Sequence, residues 1–178
     1  MSSARELARN YSVHFGGRVF GTFLGVLTIA VLTRHLGETG YGELTTAMTF
    51  LQMFGVMVDF GLTLTLVQMI STAGANEEKI VGNVLALRIL SGLVFFGAAA
   101  AIGFALPYSM IIKITIAVGT LSYLFMTASS MLVGVFQKHM AIWRFAVAEV
   151  LNRFVTLGVI VLFAYLAWGV VAMMVAFA

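Results

Sequence analysis

The sequence predicts an all-α, polytopic membrane helix bundle of about five transmembrane helices plus the start of a sixth. Composition is the first observation. Of 178 residues, 61% are hydrophobic and 10% are charged, with a mean hydropathy of +1.06. Soluble domains run about 45–50% apolar and about 25% charged, because their own outside must face water. The second observation is patterning: five windows each reach the roughly 20 mostly apolar residues that a bilayer crossing requires. The third is that the polar residues gather in the short separators between those windows.

The first window runs from about His14 to Thr33. Arg5, Arg9 and Arg18 precede its apolar run, as basic residues precede a signal peptide. The run Val19 to Leu32 ends at Thr33-Arg34-His35 with no small-x-small cleavage site, so an uncleaved first helix is predicted. The second window covers about Tyr41 to Ile70, the third about Ile80 to Leu106, the fourth about Ser109 to Phe136, and the fifth about Phe145 to Trp168. Short separators make each helix antiparallel to its predecessor. Glu77-Glu78 at the start of the third window suit the positive end of a helix dipole.

Charge placement predicts the orientation. With the N-terminus inside, Arg5, Arg9, Arg18, Lys79, Arg88, Lys138, Arg144 and Arg153 lie on or near the cytoplasmic side. Arg34 and Lys113 fall on the far side, giving a positive-inside bias. Trp143, Tyr108, Tyr165 and Trp168 lie near predicted interfaces, as aromatic belts do. After Trp168-Gly169 the run Val170 to Ala178 is apolar. It rises about 13–14 Å as a helix, less than half of a hydrocarbon core of about 30 Å. The expectation is one transmembrane domain over 1–178, the truncated N-terminal bundle of a longer protein.

Several residues carry more than hydropathy. Gly17, Gly21 and Gly25 fall four apart on one helix face, which suits close helix packing within the chain or self-dimerisation. Asp59, inside the second window, costs a few kcal/mol at such depth unless it faces a cavity or a partner. It is read either as paired with a basic neighbour or with backbone at a helix irregularity near Gly61, or as an ion-coupling site. Arg18, Arg88 and Arg153 each follow another cation by nine residues, which places them about 13 Å deeper along a helix. Three guanidinium groups at one depth on alternate helices form a candidate anion-binding ring, since Arg holds phosphate bidentately and keeps its charge. Each could instead snorkel to the headgroups or pair with Glu149 or Asp59.

The chain has no cysteine, which excludes disulfides and Cys-based zinc sites. His14, His35 and His139 are isolated, so no metal site is expected. No nucleophile–base–orienter set appears, so the sequence does not read as an enzyme, and no cofactor or nucleic acid is expected.

The run Thr33-Arg34-His35-Leu36-Gly37-Glu38-Thr39-Gly40-Tyr41-Gly42-Glu43-Leu44 resembles the signature after the first helix of polysaccharide flippases. These are the O-antigen and teichuronic-acid type exporters of the multidrug/oligosaccharidyl-lipid/polysaccharide (MATE-like) superfamily. Ala47, Phe50, Phe54 and Asp59-Phe60-Gly61-Leu62 are similar to that family's second helix, and Val81-Gly82-Asn83 with Arg88 and Phe136-Gln137-Lys138 also fit. The resemblance implies the first half of a two-bundle fold around a central cavity, with the second bundle supplied by further helices of the same protein. It implies a flippase in the bacterial or archaeal cytoplasmic membrane that moves polyprenyl-diphosphate-linked oligosaccharide across by alternating access, for cell-surface polysaccharide biosynthesis. Related lipid II flippases use cavity arginines to hold the diphosphate. The competing readings are a drug/cation antiporter of the same superfamily and a non-transporting membrane scaffold.

Overall fold

A computed structural model describes residues 4–72, 76–138 and 142–177, with side chains described for 16, 18–72, 76–130 and 147–177. The expectations placed on the side chains of Arg5, Arg9, His14, Gly17, Lys138, His139, Trp143 and Arg144 lie outside the described residues. Six helices follow in order: α1 (Ala4–Asp59), α2 (Leu62–Ser71), α3 (Glu77–Ala105), α4 (Met110–Lys138), α5 (Ile142–Tyr165) and α6 (Val170–Val175).

At 56 residues, α1 would be about 84 Å long if straight, far more than one crossing of a core of about 30 Å. It is not straight. Gly37 leaves the helical region at φ 67°, ψ −175°, a conformation open essentially to glycine alone. Gly25 and Met48 line one cavity, although about 35 Å would separate them along a straight helix. The two arms of α1 therefore fold back on each other. The separator predicted over residues 34–40 is almost wholly helical, and a single residue makes the reversal.

Four helical stretches among the described residues are long and apolar enough to cross a membrane: Arg18–Ser71, Glu77–Ala105, Met110–Ser130 and Val147–Tyr165. The first contains the reversal and so supplies two crossings, which gives the predicted five, and the short helix α6 follows them. The second predicted window is not continuous, however. Phe60 at φ 30° and Gly61 at φ 83° break it, and α2 restarts beyond the break. Glycine accepts that geometry freely; a phenylalanine there costs about 1–3 kcal/mol and persists only where its surroundings hold it.

Caps agree with the dipole argument at α3. Asn76 accepts a hydrogen bond from the Lys79 amide at 3.1 Å, and Glu77 and Glu78 occupy the first turn. At α4 the Ser109 hydroxyl faces the Ile112 amide and donates to Glu43 on α1 at 2.8 Å.

One apolar core joins both arms of α1 to α3, α4 and α5 through Leu32, Leu44, Leu51, Phe96, Ile116 and Ile160. Met173 and Met174 of α6 close it, both fully buried. In lipid no hydrophobic drive pulls helices together, so small residues let them approach. A Cβ on Gly119 would lie 2.5 Å from Leu51 Cδ1 and 3.1 Å from Met174 Cε, so α1, α4 and α6 meet at that glycine. Gly103 of α3 packs on Ile116 of α4 in the same way. The outward faces stay apolar, with Leu90, Leu93 and Val94 of α3 and Leu151, Phe154 and Val155 of α5 well exposed. That is what a lipid-facing surface requires.

Gly37→Ala is expected to destabilise the fold by about 1–3 kcal/mol, the cost of forcing a Cβ into that backbone geometry. The thermal unfolding midpoint in detergent measures it, and an unchanged midpoint would contradict the single-residue reversal.

Candidate functional site

A cavity of about 670 Å³ lies between the two arms of α1, α4 and α5. Leu32, Leu44, Met48 and Met126 give it apolar walls, Glu149, Asn152 and Arg153 of α5 project charged and amide groups, and Thr28, Tyr41, Thr45, Ser129 and Thr156 add hydroxyls. Among the described residues lining it, Arg153 is the only cation and Glu149 the only acid.

The sequence explains how Arg153 is held there. On α1, Gly21 and Gly25 are one turn apart and lack side chains, which leaves a shallow groove along the helix. The Arg153 side chain lies in that groove. A Cβ on Gly21 would come 3.2 Å from Arg153 Cδ and 3.3 Å from Nε, and a Cβ on Gly25 would come 3.4 Å from Nη1. Arg153 Nη1 donates to the Gly21 carbonyl at 3.1 Å. Arg153 Nη2 donates to Glu149 Oε1 at 2.9 Å, the i,i+4 neighbour on α5. The glycine face expected to receive another helix's backbone thus receives a guanidinium, while the surroundings of Gly17 lie outside the described residues. Arg153 remains partly exposed, as does Glu149.

Arg88 sits elsewhere. It is almost fully buried on α3 and makes an ion pair with Asp59, which is 40% exposed. Its Nη2 donates to Asp59 Oδ1, and its Nη1 donates to the Thr63 hydroxyl at 3.1 Å. The Thr63 hydroxyl donates in turn to Asp59 Oδ1 at 2.8 Å. Asp59 ends α1 and Thr63 belongs to the first turn of α2, so one guanidinium bridges both sides of the break at Phe60-Gly61. Asp59 also borders a second cavity of about 360 Å³ with Gln52, Tyr123 and Thr127. Arg88 Nε is buried without a hydrogen-bond partner.

Arg18 is exposed on the first arm of α1, and it lines neither cavity. The structure therefore places Arg153 at a cavity, Arg88 in an ion pair and Arg18 on the surface; it does not gather the three at one site. His35 Nε2 lies 2.9 Å from the Trp168 carbonyl, joining the reversal of α1 to the α5–α6 junction. Among the described residues no group of three His, Asp or Glu side chains could hold a metal.

Two partners escaped the sequence reading. Thr63 is four residues from Asp59, a spacing that puts hydroxyl and carboxylate on one face, but the intervening break hides that register. Asn152 carries no charge and no motif, so nothing in sequence marks it as lining the cavity.

Removing one member of the Arg88–Asp59 pair strands a charge within the bundle. Arg88→Met and Asp59→Leu are each expected to lower stability by about 2.5–3.5 kcal/mol, the scale of an unmatched charge in a membrane helix. The double variant is expected to recover most of that loss. Unfolding midpoints in detergent decide it: additive losses would show that the two side chains do not act as a pair.

Comparison with curated proteins and with solved structures found no match. A family model described as "Polysaccharide biosynthesis protein" matches residues 7–178, nearly the whole chain. The chain, with its membrane-spanning helices, thus belongs to the polysaccharide biosynthesis protein family.

Proposed function

We propose that the protein is a flippase that carries polyprenyl-diphosphate-linked oligosaccharide across the cytoplasmic membrane by alternating access. The observation that carries the reading is Arg153, a cation fixed in a glycine groove on the wall of an otherwise largely apolar cavity. A lipid-linked diphosphate is an anion attached to a hydrocarbon, and it matches such a wall on both counts. Guanidinium groups keep their charge and bind phosphate through parallel N–H donors. Family membership supports the polysaccharide side of the proposal.

In this proposal Arg153 contacts the diphosphate directly. Arg18, exposed one turn before Gly21, adds positive charge on the approach, and Arg88 with Asp59 holds the helix break. The positive-inside bias puts the N-terminus in the cytoplasm, and residues 1–178 form the first bundle of a two-bundle transporter whose further helices complete the cavity. A drug/cation antiporter needs a free acid in the cavity, whereas Glu149 is engaged with Arg153.

The test is complementation of a bacterium lacking its own polysaccharide flippase, using the complete open reading frame that encodes this chain. Arg153→Ala is expected to reduce surface polysaccharide at least about tenfold at normal membrane levels, as the loss of a charged hydrogen-bond donor implies. Arg153→Lys should retain partial activity, because charge survives without the fork. Full activity of an inserted Arg153→Ala protein would remove Arg153 from the transport path.

A further inference from the structure

We propose that Glu149 is a built-in counter-ion which the anionic head of the cargo displaces from Arg153, and that this exchange tunes both affinity and release. The inference rests on the reading of the cavity as a diphosphate site.

The two partners of Arg153 differ in kind. The Gly21 carbonyl belongs to α1, and the bond to it depends on the side chain lying in the glycine groove. Glu149 belongs to α5, one turn from Arg153, so it travels with the arginine however α5 moves. A phosphate oxygen could replace the Gly21 carbonyl only if the side chain left its groove. Replacing Glu149 requires no such movement, because that carboxylate is half exposed at the end of a flexible side chain beside the cavity. The exchange therefore takes place at Nη2.

Charge balance gives the exchange its purpose. Among the described residues lining the cavity, one cation and one acid balance in formal charge. A guanidinium without a partner inside a membrane bundle is costly, so the empty transporter needs an anion on Arg153 whenever cargo is absent. Glu149 supplies it. When a diphosphate arrives it must compete with that carboxylate, which weakens binding. When the diphosphate leaves, the carboxylate returns, which favours release.

The experiment uses the complete protein in lipid nanodiscs, with geranylgeranyl diphosphate as the probe. Wild type is compared with Glu149→Gln, Glu149→Ala and Arg153→Lys, and complementation is run on the same variants. Glu149→Gln is expected to bind the probe at least about tenfold more tightly than wild type, the scale of one charge-assisted hydrogen bond, while transporting less. Glu149→Ala should move the same way if the amide variant folds poorly, and Arg153→Lys should bind more weakly. A residue with only a packing role would not tighten binding when removed. Measurable wild-type binding with no gain in either Glu149 variant overturns the counter-ion role and leaves the diphosphate site standing. No binding by wild type overturns both.

Discussion

The bundle depends on one guanidinium placed across a break. Between Asp59 and Leu62 the chain abandons the helix, with two successive residues at positive φ, one of them a phenylalanine. In water such a break can be solvated. In lipid its freed backbone groups and its carboxylate need partners from the protein itself. Arg88 meets the carboxylate's need from α3, reaching Asp59 on one side and the Thr63 hydroxyl on the other, while the Phe60 and Thr65 amides bond to the Val56 and Gly61 carbonyls. The pair thereby fixes where α2 leaves the line of α1, and α2 then seats Leu66 and Ile70 against Val84 of α3. A charge that composition would flag as a liability in the membrane is the tie that sets a helix direction.

A second arginine shows how differently the same side chain can be used. Arg88 is enclosed, with a neighbouring acid and hydroxyl as partners. Arg153 is partly exposed at a cavity, resting on a helix surface from which two side chains are missing. The contrast follows from the residues opposite each one. Asp59 and Thr63 offer an acceptor pair at a helix break, whereas Gly21 and Gly25 offer a trough and a carbonyl. Spacing from a preceding cation is shared by both arginines; environment separates them.

That contrast marks how far the sequence could be read. Hydropathy and charge placement were enough for the number of crossings, because a bilayer imposes length and forbids unpaired charge. The Tyr-Gly and Asp-Phe-Gly-Leu runs were enough for the family. A helix irregularity near Gly61 was readable as one setting for Asp59, but its angles and the part Phe60 takes in it were not, since Val56 to Leu66 is apolar enough to pass for one helix and hydropathy carries no backbone angle. The ring of three arginines rested on equal spacing along three helices. Spacing gives depth but not rotation about the helix axis, and rotation decides whether a side chain meets a cavity, an acid or lipid. The glycine face was visible as a face, but what would fill it was not, because a groove accepts an arginine as readily as another backbone.

The meeting point at Gly119 bears on the order in which the bundle is built. In α6, Met173 and Met174 are wholly enclosed. Met174 sits where Leu51 of α1 and Gly119 of α4 come together, so its socket exists only after those two helices have docked. α6 thus docks into a seat that its predecessors assemble. As the chain is threaded into the membrane, its earlier crossings act as the template for the segment that follows them.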